Sequence, residues 1–319
     1  MKRALLLGID HYASFKDLGG CANDADALEP LLARNEDNTP NFGCRTLTAR
    51  DSSTPITRDL LLEHVHELLG PGCTFALFYF AGHGSPKGGD VALVTSDGTQ
   101  TTPGVLFSEI LAIINASTVN EVIVILDCCF SGGATTIGAL GNQLANLRNG
   151  LSVLTASRND QVSMETPHGR GQFSTYLEGA LDAGAADVLG HVTVAGLYAY
   201  LSESFGTWEQ RPTFKANIDR LHDIRKCDPR LPLETLRQLT DWFPTADYDL
   251  PLDPSFEPTE DNSDPAKEAI FSGLQKFRAC RLIDPIDEDH LYFAAMRSKG
   301  CRLTPLGKHY WRQVKANLI

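Results

Sequence analysis

Four short runs of almost unbroken apolar residues, at positions 4–9, 75–80, 122–126 and 151–155, are separated by stretches with helical spacing. Runs of this length without polar alternation are how strands read when a sheet is covered on both faces, as parallel sheets are. Between them, Leu61, Val65, Leu68 and Leu69 fall at i, i+4, i+7 and i+8, and Leu106, Ile110, Leu111, Ile113 and Ile114 form a second stripe leading into the third run. Residues 173–184 and 192–205 add two more helical candidates. Parallel neighbours need long right-handed crossovers, so the pattern predicts an open α/β sheet between two layers of helices. A chain of 319 residues, 42% hydrophobic, supplies one such domain and a smaller one.

In open parallel sheets ligands bind beyond the carboxyl ends of the strands. Asp10 follows the first run, Phe80-Ala81-Gly82-His83-Gly84-Ser85 closes the second, and Asp127-Cys128-Cys129-Phe130-Ser131-Gly132 closes the third, so all three lie along one edge. A histidine and a cysteine on adjacent strand-to-loop junctions can meet as base and nucleophile, which points to a cysteine hydrolase. Glycines around His83 and at 132 and 133 suit tight turns with close backbone approach. Chemistry alone does not choose between the adjacent thiols of Cys128 and Cys129.

Charge and cysteine usage narrow the partners. A formal net charge of −12 argues against a surface built to grip nucleic acid or anionic lipid and favours basic substrates. The apolar start at positions 4–7 is cut by Gly8, Asp10 and His11, too early for a signal peptide, and no stretch is long enough to span a membrane. The eight cysteines show no Cys-x-x-Cys spacing, which suits reduced thiols and a cytoplasmic location. No His and Cys pair has the spacing of a zinc site.

Four motifs together carry a family resemblance: Gly8-Ile9-Asp10-His11-Tyr12, Gly20-Cys21-Ala22-Asn23-Asp24-Ala25, Gly82-His83-Gly84 and the Asp127 to Gly132 segment. In this order, through Gln210-Arg211-Pro212-Thr213-Phe214, they resemble the caspase-like cysteine peptidases (family C14), specifically the metacaspase, orthocaspase and prokaryotic caspase branch. Forty-six residues separate His83 from Cys129, close to the caspase interval of about fifty. The resemblance implies a caspase-like α/β/α sandwich with a mostly parallel sheet. It makes Cys129 the nucleophile, His83 the base, and the backbone N–H groups of Gly84 and Cys129 the oxyanion hole. It also implies an acidic pocket for Arg or Lys, formed by Asp24 and Asp127 with Cys21 at the wall and Ala81 where many relatives have Ser. Cleavage after Arg, with Lys second, follows, because Asp127 stands where true caspases carry Gln. Members are often held latent until a loop is cut or a partner binds, and prokaryotic ones often work in stress or antiviral defence.

Each assignment has a plainer alternative. Asp10 and Asp24 can cap loop or helix backbone, Cys128 can be a core thiol, and Arg148 can belong to an ordinary loop instead of a self-cleavage or activator-cleavage site. Asp90 and Asp97 supply too few oxygens for calcium, so the chain is expected to work without a metal or other cofactor. The expected organisation is a peptidase domain at 1–216 (large-subunit-like 1–132, interdomain loop 133–150, small-subunit-like 151–216), a connecting helix and acidic Pro-rich linker at 217–263, and a small α+β, winged-helix-like module at 264–319. That last segment holds ten Lys and Arg against six Asp and Glu. Two other readings stay open: a catalytically weak interaction scaffold, and a nucleic-acid-binding regulator acting through the tail.

Overall fold

The chain's computed structural model describes residues 1–130, 147–156, 169–205, 212–218 and 222–319, with the backbone alone at Cys129 and Phe130. Two compact units result: Met1–Ala186 with His191–Asp228, and Asp187–Gly190 with Pro229–Ile319.

In the first unit the elements run β1 (Lys2–Ile9), α1 (Cys21–Ala33), β2 (Gly43–Ala49), α2 (Arg58–Leu68), β3 (Phe75–Lys87), β4 (Asp90–Val94), β5 (Gly104–Leu106) and α3 (Phe107–Ala116). They continue with β6 (Glu121–Phe130), β7 (Leu151–Thr155), α4 (Gln172–Gly179), β8 (His191–Val192), α5 (Val194–Ser204), β9 (Thr213–Asn217) and β10 (Arg225–Lys226). The main sheet has the order β2-β1-β3-β6-β7-β9. Along this path the pairs are parallel except β7 with β9, and β4 and β5 join the same sheet antiparallel, β4 on β3 and β5 on β4.

Both faces of the sheet are buried, which is why its strands read as unbroken apolar runs. Leu5, Leu7, Ile9, Ala76, Phe78, Phe80, Val122, Val124 and Leu126 pack with Leu61 and Val65 of α2 and Phe107 and Ile110 of α3. The alternate residues, Ala4, Leu6, Leu77, Tyr79, Ala81, Ile123 and Ile125, pack with Leu28 and Leu32 of α1, Phe173 and Leu177 of α4 and Leu197 of α5. This is the α/β/α sandwich expected from the sequence.

Two local features differ from expectation. The apolar runs at 75–80 and 122–126 do not end their strands: β3 continues to Lys87 and β6 to Phe130. The extension of β3 is held by β4, which folds back antiparallel onto Gly84–Lys87 through a two-residue turn at Gly88 and Gly89, both at positive φ. The helix expected over 173–184 breaks after Gly179 into a π-turn in which Ala183 has φ +64°.

Gly8 sets how closely α1 approaches the sheet. A Cβ there would lie 2.2 Å from Cys21 O and 2.7 Å from Ala22 Cα, both backbone atoms at the start of α1. Gly8→Ala is therefore expected to destabilise the first unit by about 3 kcal/mol or more, because only backbone movement relieves the clash. Gly43→Ala is the control: its Cβ would meet Lys2 O at an ordinary 3.7 Å, and denaturant unfolding of the pair should separate the two.

The second unit is α+β. Helices α6 (Leu233–Arg237), α7 (Leu239–Trp242), α8 (Pro265–Ala279), α9 (Leu291–Met296) and α10 (Pro305–Lys315) surround the antiparallel sheet β11-β13-β12. Its strands are β11 (Leu250–Pro251), β12 (Ile283–Pro285) and β13 (Gly300–Leu303). The expected linker is built into this core: Leu236, Leu239, Phe243, Leu252 and Phe256 are buried with Phe271, Leu274 and Phe277. Prolines and acids dominate the composition there, but the apolar residues are spaced to face inward. Among the described residues no helix is long and apolar enough to cross a membrane.

Candidate active site

The extension of β3 and β6 puts His83 and Cys129 opposite one another as register partners in a parallel ladder. Residues so paired lie on the same face of the sheet, on strands about 4.8 Å apart. Cys128 has the opposite parity: it is 2% exposed and packs among Leu126, Val124 and the α2–α3 side. It is a core thiol, as the plainer sequence reading had it.

His83 is held from the segment between β1 and α1. Its Nε2 lies 2.7 Å from Lys16 O. A carbonyl can only accept, so Nε2 carries a proton and Nδ1 is the ring nitrogen left for proton exchange. The His83 backbone N–H donates to Tyr12 Oη at 2.9 Å, and Tyr12 Oη donates to Ile9 O at 2.8 Å. The Tyr12 ring packs on the imidazole with centroids 4.8 Å apart. Gly82 is needed for this approach, since a Cβ there would come 2.7 Å from Tyr12 Oη. Tyr12 belonged to a recognised motif, but nothing in sequence spacing marked it as the residue that seats the histidine.

Asp10 caps α1: its carboxylate accepts from Cys21 N at 2.8 Å and Ala22 N at 3.2 Å. Cys21 therefore opens the helix, and Asp24 stands one turn's reach into it. Asp24 is 2% exposed and accepts from Arg170 Nε at 2.8 Å and Gly171 N at 3.2 Å. Burial pushes its carboxyl up to about 6, with the Arg170 guanidinium opposing that rise. Arg170 also binds Glu178.

Asp127, 7% exposed, is the register partner of Ala81. Its Oδ2 accepts from Ser174 Oγ and lies 3.3 Å from Tyr79 Oη. Burial, with Asp127 and Asp24 nearby, raises the Tyr79 phenol well above its usual range, so it remains a donor. The charge of Asp127 also raises Asp24, which places the two carboxyls near one another. Arg170, Ser174, Tyr79 and Glu178 were not singled out in the sequence. Only Ser174, a polar residue inside the apolar pattern of α4, left a readable trace.

The remaining candidates have local work. Arg148 donates to Ser117 O at 3.0 Å and to Val119 O, and burial lowers its pKa, so cleavage after it requires pulling the side chain off two carbonyls. Residues 131–146 of the interdomain loop lie outside the described residues. Asp90 accepts from Val91 N and Ser108 N, and Asp97 from Arg58 N and Thr95 Oγ1. Among the described residues no group of three or more His, Cys, Asp or Glu is gathered as metal ligands would be. Burial lifts the Cys44 and Cys301 thiols to about 12, which removes them as nucleophiles near neutrality.

A sandwiched, mostly parallel sheet with a histidine and a cysteine in register at its carboxyl edge defines a caspase-like fold. The caspase-domain family model, peptidase C14, matches residues 1–221, and the chain belongs to this cysteine peptidase family. Among solved structures, protein GSU0716 from Geobacter sulfurreducens aligns with a TM-score of 0.52 at 14% identity, over 72% of this chain and 97% of its own. Caspase-1 from Spodoptera frugiperda aligns with a TM-score of 0.49 at 12% identity, over 70% of this chain and 92% of its own. No curated protein matches the chain significantly.

Proposed function

We propose that the chain is a cysteine endopeptidase that cuts proteins after Arg, with Lys second, using Cys129 as nucleophile and His83 as base. The observation that carries the reading is the His83–Cys129 register pair with His83 Nε2 already committed to Lys16 O, which leaves Nδ1 to exchange protons. At its reference pKa a thiol is only a few per cent thiolate near neutrality, and an adjacent imidazole raises the reactive fraction. The Cys129 thiolate attacks the scissile carbonyl, and the amides of Gly84 and Cys129 receive the oxyanion. His83 then protonates the leaving amine, and water releases the acyl group. Buried Asp24 of α1 and Asp127 of β6 supply the negative charge that selects a guanidinium.

Fluorogenic peptides ending in Arg, Lys or Asp test it, each with calcium and with a chelator. Arg peptides should be cut fastest, Lys peptides next, Asp peptides at background, and calcium should change none of the rates. Asp peptides turned over as fast as Arg peptides sink the specificity.

A further inference from the structure

We propose that Arg170 is the resident occupant of the acidic pocket and competes with the substrate's cationic side chain for Asp24. The inference rests on reading Asp24 and Asp127 as that pocket. The pocket is expected to admit a guanidinium from outside, yet a guanidinium of the chain itself is already there: Arg170 Nε binds Asp24 at 2.8 Å, and Arg170 and Asp24 side chains are only 17% and 4% exposed. Arg170 thus covers Asp24, while Asp127, 7% exposed, is held by Ser174 and Tyr79.

The surroundings allow the arginine to leave. Gly169, with φ +64°, precedes it as a backbone position that rotates at low cost, while Gly171 N stays on Asp24. Its Nη1 pairs with Glu178, which is 38% exposed, so the guanidinium keeps one carboxylate when it swings outward. A buried carboxylate left bare is costly, which keeps the open state a minor fraction until an incoming guanidinium takes the place of Arg170 on Asp24. The exchange has a kinetic signature. When the competent state is a fraction of the total, apparent affinity falls by that fraction for every ligand. Arg170 therefore weakens Arg and Lys substrates by the same factor and leaves their ratio unchanged.

The test uses the full chain with Arg170→Gln and Glu178→Gln, circular dichroism for folding, and KM and kcat on Arg and Lys peptides. Benzamidine, a guanidinium-like probe, reports binding by calorimetry without turnover. Arg170→Gln should lower KM for both peptides by one common factor, about tenfold, with kcat unchanged, and tighten benzamidine about as much. Glu178→Gln, a surface change, should raise both KM values because the outer perch is gone. A folded Arg170→Gln with unchanged or raised KM overturns the proposal, as does a gain confined to one peptide. If Arg170→Gln does not fold, an unchanged KM in Glu178→Gln overturns it. Cleavage of other peptides but neither Arg nor Lys ones, in all three proteins, rejects the pocket reading itself.

Discussion

Cys129→Ala is expected to remove peptide cleavage by ~10⁴-fold or more, while Cys128→Ala leaves kcat and KM near wild type. The two thiols are neighbours in β6 and therefore belong to opposite faces of the sheet. Cys128 packs in the layer beneath α2 and α3, where Cys→Ala removes one buried sulfur and costs on the order of 1 kcal/mol of stability. Cys129 pairs in register with His83, whose Nε2 is fixed by a backbone carbonyl at this edge. Single-turnover assays and thermal melts on the two variants separate the roles. An inactive Cys128→Ala beside an active Cys129→Ala would reverse the assignment and with it the face of the sheet on which chemistry takes place.

Asp127→Ala is expected to lower kcat/KM for Arg peptides by about 30-fold to several thousand-fold, the effect of deleting one member of a desolvated charge pair worth about 2 to 5 kcal/mol. Two consequences are bundled in that variant. It removes the charge proposed to meet the substrate, and it strips the acceptor from Ser174 and Tyr79, both fully buried. Asp127→Asn keeps an oxygen for those hydroxyls and removes only the charge. Both variants should lose Arg cleavage, and Asp127→Asn should keep more of the melting temperature. Near-normal turnover of Arg peptides by a folded Asp127→Asn would remove Asp127 from the pocket.

The central strands were legible because a parallel sheet buried on both faces leaves no polar alternation. Strand β2 was not, since Arg45, Thr46 and Thr48 break the run in an edge strand with half-exposed positions. Glycines around His83 read as turn punctuation, yet the strand runs through them because β4 returns to pair with it, a contact that only the Gly88-Gly89 turn foreshadowed. His83, Cys129, Asp24 and Asp127 were readable as residues from motif and order. Their partners were not: Arg170 lies 146 residues from Asp24 and Ser174 lies 47 from Asp127. An arginine between two glycines carries no local mark of the carboxylate it will find. In the second unit, counting prolines and acids hid Leu236, Leu239, Phe243 and Leu252, whose burial makes the supposed linker part of a core.

The ladder between β3 and β6 makes the geometry of the dyad discrete. Side chains alternate along a strand, so sliding either strand by one position turns a residue to the opposite face. No small adjustment separates a working His83–Cys129 pair from a broken one: an insertion or deletion within either strand changes the alignment by a whole step. Drift in loops, helices and surface can retune affinity gradually, whereas the proposed nucleophile and base are either matched or on opposite faces of the sheet.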